Sequence, residues 1–389
     1  MRLSEIQTAL REQGLDGWLF FDHHQRDPLA YRVLGLAPEG PVTRRWYYLI
    51  PVDGEPQKLV HAIESHVLDE LPGAGRVYSS WSLQAEGLRE MLGGCRRIAM
   101  QYSPNCAIPY VSMVDAGTLE LVRANGVEVT SSADLIQYFE ARWDAEKLAS
   151  HLEAGRRMDE IRGAAFRFVG QKLRNGEAIG EFDVRRFLLE AFAAAGLETD
   201  HGPIVAVNEN ASDPHYEPSE RVSMQIRPGD VVLIDMWAKL SKPRSVYYDI
   251  TWTGYCGAEP PAEVEKVFEL VREARDRAVK CVESAVAAGR PLYGFEVDDA
   301  ARGFLREQGY AEWFVHRTGH SIGEDVHGAG ANMDNLETHD ERRVIPGTCF
   351  SVEPGIYLPN FGIRSEVNVY VEEGRAWVTG EIQKTLVLI

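Results

Sequence analysis

Apolar residues recur at helical intervals in some stretches of the chain and run continuously in others, and the two patterns alternate over the first ~140 residues. Leu3, Ile6 and Leu10 share one face of a predicted helix that Gly14 ends. Gly17-Trp-Leu-Phe-Phe21 reads as a buried strand, and Trp46 to Ile50 and Arg97 to Met100 are further strand-like runs with helical stretches between them. Such alternation predicts an α/β domain built on a central sheet. Asp22-His23-His24 is the one eye-catching polar cluster there. It reads as a solvated strand end, with a contribution to a substrate entrance as the lesser alternative.

The pattern changes at Asp144, where a long, charged helical segment runs to Leu173. A domain boundary follows, giving predicted domains 1–143 and 144–389. An amphipathic helix is expected from Asp183 to Ala195, with Val184, Phe187, Leu188 and Phe192 on one face and Gly196 as its stop. Two more are expected, one opening at Pro260-Pro261 and reaching about Ala288, the other covering Val297 to Gln308. Strand-like runs lie at Asp230 to Asp235, Val246 to Trp252, Cys349 to Ile356 and Val367 to Val371. Strands paired into an antiparallel sheet and backed by helices predict an α+β second domain. No fixed-period repeat is present.

Composition narrows the function classes. A net charge of −18 and a pI near 5.1 speak against nucleic-acid binding, which needs a basic face. No apolar run approaches the roughly 18 residues of a membrane span. The N-terminus lacks the basic-then-apolar order of a signal peptide. The five cysteines are scattered without CxxC spacing, which predicts reduced thiols in a cytoplasmic protein.

Chemistry concentrates in the second half. Asp235 closes an apolar run and Asp249 opens the next after a turn marked by Ser241-Lys-Pro-Arg244. His320 stands between Gly319 and Ser321-Ile-Gly323, Glu353 lies in Val-Glu-Pro-Gly, and Glu366 follows Arg364 by two residues. Four of these five ionisable residues sit in or beside strand-like runs, where an unpaired charge is costly to bury. Singly, each has an ordinary explanation as a turn former, a satisfied histidine or a solvated acid. Together they require either an ion-pair network or a metal. Oxygen-rich donors with one imidazole suit Mn²⁺, Fe²⁺, Co²⁺ or Zn²⁺ rather than a thiolate-held structural zinc, and four carboxylates roughly neutralise two divalent ions.

In their order and local contexts these residues resemble the signature of the pita-bread (M24-type) metallopeptidases, which include Xaa-Pro aminopeptidases, Xaa-Pro dipeptidases (prolidases), methionine aminopeptidases and creatinase. The resemblance extends over nearly the whole chain. It implies a creatinase-like α/β N-terminal domain and a pita-bread catalytic domain with a curved antiparallel sheet. By the same resemblance Asp235 holds one metal, Asp249 and Glu366 bridge two, and His320 and Glu353 hold the other. His215 and His327 match the family's substrate-facing histidines, implied donors to the substrate carbonyl. His316 and Arg364 are weaker matches that line the pocket or orient ligands. The implied reaction is amide hydrolysis by a water shared between two divalent ions, manganese first, with Glu353 moving the proton. The implied substrate is a peptide with proline after the scissile bond, and the implied assembly a homodimer.

Some positions depart from the family pattern. Asp235 and Asp249 are fourteen residues apart, a few more than usual, and the extra residues are expected to enlarge the hairpin turn without shifting its register. Trp237 stands where the family usually keeps something small. Val367 follows Glu366 and Gly328 follows His327, where acids are common. The carboxylate-gripping arginine of prolidases has no secure counterpart, and Arg342 matches a structural arginine instead. A hydrolase or lyase acting on a small non-peptide substrate is the alternative, and a non-catalytic binding protein is a third reading that five retained ligands oppose.

Overall fold

The computed structural model describes residues 2–37 and 40–389. The chain divides into two compact units, Met1–Glu140 and Ala141–Ile389.

In the first unit the elements run α1 (Leu3–Glu12), β1 (Gly17–Asp22), α2 (Pro28–Leu34), β2 (Trp46–Pro51), β3 (Gln57–His61), β4 (Ala74–Tyr78), α3 (Trp81–Leu92), β5 (Arg97–Met100), α4 (Ala116–Arg123), β6 (Glu128–Ser131) and α5 (Ala133–Ile136). Among the described residues the strands form one mixed sheet in the order β4-β3-β2-β1-β5-β6. β1 is antiparallel to β2 and parallel to β5. Every residue of β1 is buried, which is why its sequence reads as an unbroken apolar run rather than an alternation. Helix α1 lays Ile6 and Leu10 into the core, and Gly14, at φ 63°, turns the chain after it.

The strand end at Asp22 is not solvated, contrary to the sequence reading. Asp22 is 1% exposed. Its carboxylate accepts the backbone N–H groups of Gln25 (2.8 Å), Arg26 (2.7 Å) and Asp27 (3.1 Å) and the Tyr31 hydroxyl (2.8 Å). A tight turn with His24 and Gln25 at φ 67° and 54° delivers those donors. The buried acid satisfies amides that the sheet cannot pair.

The second unit opens with α6 (Ala145–Arg174), capped by the Asp144 carboxylate on the Lys147 amide, and α7 (Glu181–Ala194). Then come β7 (Leu197–Glu198), β8 (Ile204–Val207), β9 (Val231–Leu240), β10 (Tyr248–Tyr255), α8 (Ala262–Ala287), α9 (Gly294–Glu307) and β11 (Ser321–Ile322). The chain finishes with β12 (Cys349–Val352), β13 (Gly355–Leu358), β14 (Phe361–Arg364), β15 (Val367–Glu372), β16 (Arg375–Val378) and β17 (Val387–Leu388). Among the described residues one sheet runs β17-β10-β9-β7 with β8 also on β9, a second runs β11-β12-β15-β16, and β13 and β14 form a separate ribbon. Apart from the parallel β10–β17 edge, the named pairs in this unit are antiparallel.

Period-two alternation assigns the faces of the β9–β10 hairpin. Val232, Ile234, Met236, Ala238, Tyr248 and Ile250 join a core with Met158 and Phe166 of α6 and Leu188 of α7. Asp235, Trp237, Asp249 and Thr251 are therefore left on the opposite face. A second core packs α8 and α9 against the strands from β12 to β15.

Several boundaries differ from expectation. β9 runs on to Leu240, so Asp235 lies mid-strand rather than at its end; Lys239 and Leu240 pair with β7 and prolong it. The run from Cys349 to Ile356 is two strands in different sheets, broken at Glu353-Pro354, where proline lacks the N–H a ladder needs. Glu366 sits in the two-residue break between β14 and β15 rather than inside a strand. α9 starts at Gly294, because the Glu296 carboxylate takes the Tyr293 amide (2.9 Å) and sets the cap earlier. Pro261 is the cap of α8, outside its first turn. Each of the five cysteines is a free thiol. No helix among the described residues is long and apolar enough to cross a membrane.

Candidate metal centre

In the β9–β10 ladder Asp235 pairs with Thr251 and Asp249 with Trp237. The two acids are thus diagonal neighbours on one face, within reach of a common ligand. The surplus residues are taken up beyond the last pair, Ala238 with Tyr248, without a slip in register. Part of them extends β9 along β7. The rest forms a loop pinned by the Tyr247 amide on the Gly323 carbonyl (2.9 Å) and the Val246 amide on Ser150 Oγ (3.2 Å).

His320 enters from the chain before β11. A Cβ at Gly319 would lie 1.9 Å from the Ser351 carbonyl oxygen, so only glycine lets the backbones approach this closely. The His320 amide donates to Ser351 Oγ (2.9 Å), whose hydroxyl lies 3.0 Å from Glu353 Oε1 and donates to it. The ring's Nδ1 faces its neighbour's carbonyl, that of Ser321, at 3.1 Å. That contact places the proton on Nδ1 and leaves the Nε2 lone pair 3.4 Å from Asp249 Oδ2 and 3.4 Å from Glu353 Oε1. A lone pair facing two carboxylates is stable only with a cation or a shared proton between them.

Glu366 completes the group. Its amide donates to the Thr251 carbonyl (3.0 Å), and the Thr251 hydroxyl donates to its Oε2 (2.8 Å). Its Oε1 is buried with no hydrogen-bond partner. One ligand atom each from Asp249, His320 and Glu366 lies within 4.8 Å of the others. Arg364, buried, pairs with Asp235 Oδ2 (2.5 Å), donates to the Thr251 hydroxyl (3.0 Å) and reaches Tyr357 Oη (2.9 Å). Tyr357 Oη lies 2.6 Å from His316 Nε2, and His316 Nδ1 lies 2.7 Å from the Arg317 carbonyl. With its proton on Nδ1, His316 accepts from the tyrosine, which accepts from the arginine. Arg364 therefore donates outward in two directions, to Asp235 and, through the Tyr357 hydroxyl, to His316.

Electrostatics set this cluster apart. Burial first, then the neighbouring Asp235, raises Asp249 well above the ordinary carboxylate range. Burial, then Asp249, Glu353 and Asp235, does the same to Glu366, and burial also raises Glu353. Carboxylates this crowded bind either protons or metal cations. The orphaned Glu366 oxygen, the lone pair on His320 Nε2 and the all-oxygen-and-imidazole donor set fit divalent first-row ions.

Of the histidines expected around a substrate, His327 stacks edge-on against His320 with centroids 4.4 Å apart. Its pKa is pushed down to about 2, first because the adjoining His320 ring disfavours a second protonated imidazole, then by burial, then by Arg317 and His215. His215 is exposed, its amide tied to Asp213 Oδ1 (3.0 Å). Trp237, half-buried beside Asp249, packs with Tyr216 against Ile204 and Leu233, and its indole N–H donates to Asp200 Oδ1 (2.8 Å). The sequence reading missed Thr251, Ser351 and Tyr357. The first two were findable, since each lies two residues from a named acid and so on the same face of an extended chain. Tyr357 gave no comparable signal.

Comparisons with known proteins agree in placing the chain. The family model "Metallopeptidase family M24" matches residues 153–373, more than half of the length. "Probable dipeptidase PepE" of Mycobacterium tuberculosis is 29% identical over 279 residues, 72% of this chain and 68% of that protein. An Xaa-Pro dipeptidase of Lactobacillus delbrueckii subsp. lactis is 28% identical over 225 residues, 57% of this chain and 55% of its own. Among solved structures, dipeptidase PepE from Mycobacterium ulcerans superposes with a TM-score of 0.74 at 25% identity, covering 100% of this chain and 97% of that one. The chain belongs to metallopeptidase family M24.

Proposed function

We propose that this metal-dependent peptidase cleaves Xaa-Pro bonds, as an aminopeptidase or dipeptidase, at the cluster formed by Asp235, Asp249, His320, Glu353 and Glu366. The convergence of Asp249, His320 and Glu366 donor atoms within 4.8 Å carries the reading. In it Asp235 would hold one divalent ion, His320 and Glu353 a second, and Asp249 and Glu366 would serve both, with manganese as the expected metal. Bound there, the ions would supply a water of lowered pKa and positive charge for the scissile carbonyl. Glu353, the least buried of the five, takes the water's proton and returns it to the leaving amine nitrogen. His327, neutral at physiological pH, and His215 donate to the carbonyl oxygen as it gains charge. Arg364 holds Asp235 in position and steers Glu366 through Thr251.

The same reading takes 1–143 as a creatinase-like domain and 144–389 as a pita-bread catalytic domain, working as a cytoplasmic homodimer. Relatives named as Xaa-Pro dipeptidases support the prolyl preference. The alternative of a small non-peptide substrate has no observation in its favour. Purified protein is stripped by a chelator, reloaded with Mn²⁺ and assayed on Xaa-Pro dipeptides, Xaa-Pro tripeptides and matched non-prolyl peptides. Turnover is expected to vanish on chelation, return with metal and favour the prolyl bonds. Two tightly bound ions without turnover of any peptide would sink the proposal.

A further inference from the structure

A second concentration of charge lies wholly within the first unit, on residues other than those of the metal cluster. A cavity of about 910 Å³ is walled by Phe21 and His23 at the end of β1, by Arg26, by Thr43-Arg44-Arg45 before β2, by His61, by Tyr78 to Trp81, and by Asp115, Gly117, Thr118 and Leu121 around the start of α4. Its volume suits a small ligand. Its sign is opposite to the chain's net charge of −18: three guanidinium groups line it against the single carboxylate of Asp115.

The cations are unevenly spent. Arg26 donates to the His23 carbonyl (2.8 Å) and lies 3.6 Å from Asp115, whose oxygens also cap α4 through the Thr118 amide and hydroxyl (3.0 Å each). Among the described residues the Arg44 guanidinium donates to the carbonyl and hydroxyl of Thr43, and its charge acts on the Glu64 carboxylate. Glu64, behind this segment, is occupied by the Thr43 amide and hydroxyl and the Arg44 amide. Arg45 is exposed and its guanidinium meets no carboxylate among the described residues. His23 is held below the ordinary imidazole range by burial first, then by the positive charges of His24, Arg26 and Arg45. The space is therefore one in which added positive charge is unfavourable and added negative charge favourable. Ser79, Ser80 and Thr43 add hydroxyls to the wall. Trp81 offers its ring at the rim, 81% exposed, the most solvent-facing large apolar side chain among the described residues.

We propose that this cavity binds a small phosphate-bearing ligand. The phosphate is gripped by Arg45 and Arg44, with Arg26 beside them, and the rest of the ligand lies on Trp81. Guanidinium forks match phosphate oxygens two at a time, and several around one cavity recognise a multiply charged anion better than a single carboxylate. The buried Asp22 turn gives the site a rigid floor, since it fixes the segment carrying His23 and Arg26.

The test titrates the intact, metal-loaded protein with inorganic phosphate, pyrophosphate and citrate at constant ionic strength set with sodium chloride. Tryptophan fluorescence reports occupancy, and Trp81→Phe identifies the contribution of Trp81. Saturable binding of pyrophosphate and phosphate is expected, weakened at least tenfold by Arg45→Ala and further by the Arg44→Ala, Arg45→Ala pair. Both side chains are exposed, so thermal melting and Xaa-Pro turnover of these variants should match the parent protein. Absence of saturable binding, binding indifferent to the arginine variants, or binding of citrate alone would each overturn the assignment.

Discussion

The second unit buries carboxylates in two contrasting ways. Asp298 and Asp340 are 0% exposed, and each is surrounded by donors. Asp298 accepts Arg302 Nε (2.6 Å) and Nη2 (2.9 Å) together with the Thr318 amide (2.9 Å) and hydroxyl (2.7 Å). Asp340 accepts Arg342 Nε (2.9 Å) and Nη2 (2.6 Å) and the amides of Asn332 (2.8 Å) and Arg342 (3.1 Å). Asp249 and Glu366 are nearly as buried, at 4% and 1%, yet they face other carboxylates and the unprotonated side of a histidine. One arrangement is closed and neutral by itself. The other is incomplete without a cation, and that distinguishes an ion-pair network from a metal site.

Neutralising substitutions should split the two by sign. Asp298→Asn leaves Arg302 buried without its charge partner and should lower stability by about 3–5 kcal/mol. Asp249→Asn, measured on metal-free protein, removes one of several crowded like charges and should raise stability by roughly 1–3 kcal/mol while abolishing metal binding. Chemical denaturation of both variants, with and without Mn²⁺, reads the contrast directly. If Asp249→Asn destabilises the metal-free protein as much as Asp298→Asn does, the cluster is an ordinary network. Within the cluster, Glu353→Gln keeps an oxygen donor but cannot take a proton. Turnover should fall about a thousandfold, or about 4 kcal/mol, with metal content unchanged. Unaltered kcat would remove Glu353 from proton transfer.

A buried histidine outside the candidate ligand set supplies the pH test. His151 is fully buried, with Nδ1 2.6 Å from the Tyr247 carbonyl and Nε2 2.7 Å from the Thr379 hydroxyl. Burial lowers its pKa to about 4, against 6.5 in the unfolded chain. Between those values the unfolded state binds the extra proton. Its contribution to stability is therefore whole above pH 6.5 and lost as pH falls towards 4, about 3 kcal/mol in all. Denaturation midpoints of the parent and His151→Gln between pH 7 and 4 should converge as the pH drops. Parallel curves would mean that His151 is not the group being titrated.

Much of this was legible beforehand, for reasons that also explain the gaps. The four acids and the histidine could be read because each has a distinctive local context in the chain, and because a charge beside an apolar run is conspicuous. β1 could be read because it is buried on both faces. The full length of β9 could not, since Lys239 and Leu240 are strand only by pairing with β7, a contact from more than forty residues away. Glu366 was misplaced for a related reason: its backbone pairs with Thr251, across 115 residues. Asp22 was read as solvated because a polar residue ending a strand usually is, and only the turn's positive-φ geometry shows it enclosed. Tyr357 was silent because one more tyrosine in an apolar strand carries no mark of the arginine and histidine that meet its hydroxyl.

Trp237 offers the finest distinction, between a wall of the site and a part of its chemistry. It shares the face of Asp235 and Asp249 but holds no position among the donors; its ring packs against the apolar cluster of Ile204, Ala206, Ala211 and Leu233, and its N–H is committed to Asp200. A wall changes which side chains fit without changing how the bond is broken. Trp237→Ala should therefore leave metal content and the thousandfold Glu353 effect intact while raising kcat/KM for substrates with a bulky residue before proline. A gain of about tenfold relative to alanine is expected, the scale on which a pocket discriminates by size. Trp237→Phe, which keeps most of the ring but drops the hydrogen bond to Asp200, should retain the parent preference. A shift in both variants would trace selectivity to the Asp200 carboxylate instead, and a shift in neither would place the wall elsewhere.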